Sequence, residues 1–428
     1  MDERTERPGG EEAKKRLPRL LRHPAADRLA ARHAGSAGGE SAPELSAGYD
    51  AALDRVEEFA RHAASLPATE LERFRRALAL LQSGRGVIAL AQEGDMMIEG
   101  LGVYEALLTR SWAVRYDDPR EMCHLAGAAV EVAGGLDAAA YGWPRVADYR
   151  ARAWGELANA YRVADRLYEA EQAFGTAFSL ARQGTGDRRL RARLLDLEAS
   201  LLGTQREFDL ALPRLASLAE LHREAGDSHQ AGRALVSRAL YTFYRGKPRE
   251  ALRIIAEALE LIDEQREPGL AAVALQNQLL FLVECGRYKE ARKILFQSRS
   301  RFAATGRLVQ LKALWLQGRI DHGLRKLTSA EAAFREVKRG FEDAGKGFAC
   351  ALAGLDLAMT QMCQGRADQA AAEALQAAAM FQALSIHREV LGAVIFLEQE
   401  FEGRRGSLAL LESTVRYLRR KLLELGYG

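Results

Sequence analysis

Few residues in this chain are spaced for chemistry. Its eight histidines are scattered. Cys123 and His124 are adjacent and would point to different faces of a helix, and His222 and His229 lie seven apart. No HExxH and no paired CxxC occurs, so the usual zinc geometries have no ligand set, and neither a metal nor another cofactor is expected. Ser-Gly-Arg-Gly at 83–86 is too short for a phosphate loop and reads as a turn between helices. There is no G-x-S-x-G and no kinase-type phrase. The sequence offers no catalytic cluster and reads as non-enzymatic. The stretch Lys14–Arg32 holds seven Lys/Arg in 19 positions but no aromatic residue on which a base could stack. With a net charge of +3 over 428 residues, the balance argues against a nucleic-acid surface.

What the sequence does contain is a repeated phrase. It reads VADRLYEA (163–170), TQREFDLA (204–211), YRGKPREA (244–251), ECGRYKEA (284–291), GLRKLTSA (323–330) and CQGRADQA (363–370). The closing alanines, Ala170, Ala211, Ala251, Ala291, Ala330 and Ala370, step by 41, 40, 40, 39 and 40 residues. A fixed period in this range predicts a solenoid of stacked units that bind partners along an extended surface. Apolar residues recur at three- and four-residue spacing, as in Leu53, Val56, Phe59, Ala60 and Ala63, then Leu71, Phe74, Leu78 and Leu81, with a third run near Val87. No stretch alternates like a strand, so the predicted fold is all-α.

The expected layout has five parts. Residues 1–48 form a basic tail, disordered or partly helical around Lys14–Ala34, and 49–98 an N-terminal helical cap. Residues 99–149 form an irregular first repeat, with helices at Leu101–Arg115 and Arg120–Ala133 and an insertion at Gly134–Tyr149. Six repeats occupy 150–385, their second helices closing on Gly184, Gly226, Gly306 and Gly345. Residues 386–428 supply capping helices at Arg388–Glu402 and Ser407–Leu425. The second has Leu408, Leu411, Val415, Leu418 and Leu422 on one side and the basic RYLRRK on the other. The charged N-terminus and the lack of an apolar 18-residue run predict neither signal peptide nor membrane span. Four cysteines far apart point to reduced thiols and a cytoplasmic setting.

In the unit starting at Ala151, residues Trp154, Leu157, Ala158, Tyr161, Ala170, Phe174 and Ala177 follow W-x2-L-[GA]-x2-Y … A-x3-F-x2-A. The chain therefore resembles the tetratricopeptide repeat family, in a variant of about 40 residues like those of bacterial regulatory solenoids and of eukaryotic polarity scaffolds. The match is strong in one unit and partial in five. It departs from the family in its period and in lacking the proline that often ends the second helix; the extra residues are expected late in that helix or just after it.

The resemblance implies a right-handed α-solenoid whose first helices line a concave groove. It places Arg152, Asn159, Arg162, Arg193, Asp196, Arg233, Tyr244, Lys312, Trp315, Arg319, Met359 and Met362 on that groove, basic at its N-terminal end and more apolar beyond. Asn159 and Arg233 match two positions of a peptide-carboxylate clamp, but Gly155 and Leu197 replace two others. Solvated groove charges are therefore the simpler expectation, with Met359 and Met362 serving inter-helix packing. The implied function is a scaffold or adaptor that binds a protein or peptide with an acidic or carboxylate-bearing segment. The alternative is a ligand- or peptide-responsive regulator acting through its tail or terminal helices.

Overall fold

The computed structural model describes residues 61–85, 100–383, 394, 397, 400–401 and 406–425. The expectations for the 1–48 tail, for Leu53–Ala60, for a helix near Val87 and for nearly all of Arg388–Glu402 lie outside them. The described residues are helical, without a strand. They divide into two compact units, Leu53–Tyr241 and the residues from Thr242 onward.

In the first unit, α1 (Ala68–Leu80) ends in a π-helical turn at Leu81–Arg85 and packs on α2 (Leu101–Ala113). Then come α3 (Pro119–Gly134), the single turn α4 (Ala138–Tyr141), α5 (Trp143–Val163), α6 (Leu167–Ala181), α7 (Arg188–Thr204) and α8 (Phe208–Glu224). Helix α9 (Ser228–Tyr244) contains the division. The second unit continues with α10 (Pro248–Leu261), α11 (Pro268–Glu284), α12 (Tyr288–Gln297), the short α13 (Arg299–Ala303) and α14 (Arg307–Gly323). It ends with α15 (Leu327–Asp343), α16 (Gly347–Cys363), α17 (Ala367–Ala383) and α18 (Leu408–Leu425). Within each unit consecutive helices pack as hairpins, and first helices also touch the first helix of the next pair, as α5 touches α7 and α11 touches α14.

Local chemistry explains the starts. Asp118 accepts from the N–H groups of Arg120 and Glu121, and Asp187 from that of Arg189. Prolines open α3, α5, α10 and α11, where a missing N–H costs nothing. Each of α7, α8, α9, α14, α15, α16 and α17 has 17 residues. Two such helices and two three-residue connections make the 40-residue period, so the extra length is helix.

The repeated phrase is a turn of fixed geometry. Five residues before each closing alanine the backbone is left-handed: Asp165 (φ 59), Arg206 (65), Gly246 (75), Gly286 (72), Arg325 (61) and Gly365 (79). All six alanines that follow are fully buried, where a larger side chain would separate the paired helices. At the other end of the unit the glycine expectation holds for Gly226 and Gly345, both left-handed. It does not hold for Gly306, which is the extended N-cap of α14, nor for Gly184, which is not left-handed. The insertion is also shorter than its sequence suggests. Helix α5 starts at Trp143 and runs 21 residues, because Pro144 suits a first turn and Val146 and Ala147 are already buried.

Candidate functional site

The residues expected on the groove all sit on first helices or at their ends, and the two units hold them differently. In Leu53–Tyr241, Arg152 and Glu156 are one turn apart on α5. Arg152 Nη1 donates to Glu105 Oε1 on α2 at 2.5 Å. Glu156 takes both arms of Arg193 on α7, at 2.7 and 3.0 Å. All four side chains are buried, and the Arg193 guanidinium also lies 5.0 Å over the ring of Trp112. Burial opposes the charge on Arg152, yet Glu105 and its hydrogen bond hold it protonated beyond the ordinary arginine range.

The expectation of solvated charges therefore needs correcting at Arg152, Arg193 and Arg233, which are 7%, 5% and 5% exposed. For the first two the reason is on the neighbouring helix: a glutamate roughly one repeat earlier, which makes burial of the guanidinium tolerable. Asn159 is also buried, and its Oδ1 accepts from Nε and Nη2 of Arg162 at 3.1 and 3.0 Å. Arg162 and Asp196 are half-buried. Gly155 backs onto the Leu194 side chain and Leu197 is buried, so both positions where the clamp would need polar groups serve helix packing here.

In the unit from Thr242 the face is acidic as well as basic. Arg319 on α14 donates to Glu284 on α11 at 2.7 Å. Trp315, also on α14, donates its indole N–H to Asp356 Oδ2 on α16 at 2.7 Å and meets Phe341 edge-on at 5.7 Å. Asp356 is 1% exposed, and its other oxygen accepts from Arg419 on α18. Burial works against ionisation of Glu284, but Arg319 with Arg419 and Arg416 keeps its carboxyl below the usual carboxylate range. Lys312 is half-buried, and burial pushes its ammonium down to about 8. His322 bonds Thr360 across the same helices at 2.9 Å, and burial lowers its imidazole as well. Met359 is buried and Met362 half-buried in the cluster that joins α16, α17 and α18, as packing residues. Tyr244 is half-buried at the end of α9, its ring 6.0 Å from Phe243.

Sequence reading missed Glu105, Glu156, Glu284, Asp356 and Arg419. The signal for most of them is present. Opposite charges stand about one period apart, at 47 residues for Glu105–Arg152, 37 for Glu156–Arg193 and 35 for Glu284–Arg319. Arg419–Asp356 spans 63 residues and has no such signal. Among the described residues no group of three His, Cys, Asp or Glu is placed to hold a metal, and no helix is long and apolar enough to cross a membrane.

No family model and no curated protein sequence matches the chain. Solved structures do. It is similar to the apo form of RapI, with TM-score 0.57, 14% identity, and coverage of 83% of this chain and 97% of that one. A Rap protein complexed with competence and sporulation factor matches with TM-score 0.51 and 13% identity, over 75% and 87%. Aspartyl phosphate phosphatase F from Bacillus subtilis matches with TM-score 0.52 and 14% identity, over 90% and 97%. With the repeated turn and the buried alanines, these matches establish an all-α solenoid of tetratricopeptide-like repeats.

Proposed function

We propose that this chain is a non-catalytic scaffold whose first-helix face recognises a protein or peptide. The observation that carries the reading is the fold itself, shared with a Rap protein complexed with competence and sporulation factor. The site chemistry supports it. The charged groups of the face are tied to one another as Arg–Glu and Arg–Asp pairs, an arrangement that fixes a surface and leaves those groups engaged. One similar structure is a phosphatase. Turnover of an aspartyl-phosphate substrate by the purified chain would therefore overturn the non-catalytic part. The four cysteines are free thiols, which fits a reducing, cytoplasmic setting.

An acidic segment of the partner would be met by Arg162, which keeps partial exposure while Arg152 and Arg193 face their own glutamates. The test is affinity capture from lysate, followed by titration of the recovered partner against wild type and Arg162→Glu. We expect at least a tenfold loss of affinity with unchanged helicity. Equal affinity would remove the acidic-segment assignment. A second reading, a peptide-responsive regulator with output through its terminal helices, is favoured by one observation: α18 is bonded to the first-helix face of its own unit.

A further inference from the structure

Helix α18 does more than cover the end of the stack. Its apolar side, Leu411, Val415 and Leu418, is buried with α16 and α17. From its basic side Arg419 turns toward the first helices, while Arg416 stays exposed. Arg419 bonds Asp356 on α16, and Arg416 and Arg419 both act on Glu284 of α11. Arginines three residues apart thus lie on one helical face beside an apolar stripe, Arg419 bonded to Asp356 and the charge of both favouring ionised Glu284. The seat is built rather than incidental: Asp356 is held by the Trp315 indole and Glu284 by Arg319.

Two arginines, Arg319 of the face and Arg419 of α18, share this seat and act on one another. Burial and the nearby Arg319 lower the Arg419 guanidinium below the ordinary arginine range despite Asp356, whereas Glu284 and Asp356 raise Arg319.

We propose that the α11–α14–α16 face is a docking site for a basic amphipathic helix, with two arginines three residues apart beside an apolar stripe. In this chain α18 is its resident, displaceable occupant. The inference rests on the peptide-binding reading and specifies the ligand for this face. A tethered occupant competes at an effective concentration on the order of millimolar. A partner of the same chemistry therefore binds weakly until the grip of α18 is loosened.

The probe is a fluorescent synthetic peptide with the sequence of residues 407–425, titrated by anisotropy against the full chain. Arg416→Ala/Arg419→Ala in the chain should bind the peptide at least tenfold tighter than wild type. Adding Glu284→Gln/Asp356→Asn should abolish that gain. In wild type, excess unlabelled peptide should speed amide exchange in α18, a readout that does not depend on how the variants fold. Peptide binding that ignores both sets of substitutions, without faster exchange in α18, overturns the docking assignment and leaves the general reading standing. Absence of binding to every variant overturns both for this face.

Discussion

Two first-helix faces in this molecule neutralise buried charge in different ways. In Leu53–Tyr241 the arginines on α5 and α7 are met by glutamates on the preceding first helices, so the row is closed within the repeats. In the unit from Thr242, Arg319 and Glu284 follow the same rule, but Asp356 takes its arginine from α18, outside the repeats. A row closed by consecutive repeats is part of what holds the stack together. A row closed by a terminal helix depends instead on that helix staying packed on α16 and α17.

The comparison fails if the two kinds of pair cost the same to break, so the largest expected effect tests it directly. Arg193→Met leaves Glu156 buried without its ion-pair partner and should cost about 3–5 kcal/mol in denaturant unfolding. The double variant Glu156→Leu/Arg193→Met should return to within about 1 kcal/mol of wild type, because desolvation of both charges is removed together. Arg419→Ala should cost only about 1–2 kcal/mol, since Asp356 keeps the Trp315 bond and the arginine is partly exposed. Equal losses for Arg193 and Arg419 would abolish the distinction between spine and seat.

Lys312 sharpens the same contrast from the basic side. Its folded value of about 8 lies below its ordinary 10.5, so at neutral pH the charge disfavours the folded state. Stability should therefore rise as pH climbs from about 8 toward 10.5. Lys312→Met should raise neutral-pH stability by on the order of 1–3 kcal/mol and flatten that rise. A destabilised Lys312→Met would show that the ammonium is a needed part of the face.

Arg325→Gly tests the repeated turn. An L-residue in the left-handed region is strained, and glycine there should add about 0.5–1 kcal/mol, read as a small increase in melting temperature. Smallest and directional is the acid limb. Glu284 titrates below its ordinary 4.5 in the folded state, so its contribution is present above that value and lost as pH falls through the folded value. Glu284→Gln should make stability less steep with pH there, whereas an unchanged slope would mean the Arg319 pair contributes nothing.

Particular residues show what could be read in advance. Ala170 and its five counterparts are visible as a period, and the period alone implies stacked hairpins with a small residue at each crossing. Helix α3 and the YDDP turn before it were legible because Asp118 and Pro119 are strong helix-start chemistry wherever they stand. The unseen part was depth. Arg152 and Arg162 lie on one helix and differ by ten positions, yet one is buried against Glu105 and the other half-exposed beside Asn159.

The sequence by itself determined the all-α repeat, its 40-residue period and the turn at each phrase, while only the resemblance to tetratricopeptide repeats implied which helices carry the polar face. The first three follow from local periodicity, capping and backbone preference, which act within one hairpin. Only the tertiary structure decided which arginines are buried, which carboxylates meet them, and that Arg419 reaches Asp356. Exposure and ion pairing depend on side chains brought alongside from other repeats or from α18. Distance along the chain does not encode a contact made where two helices cross.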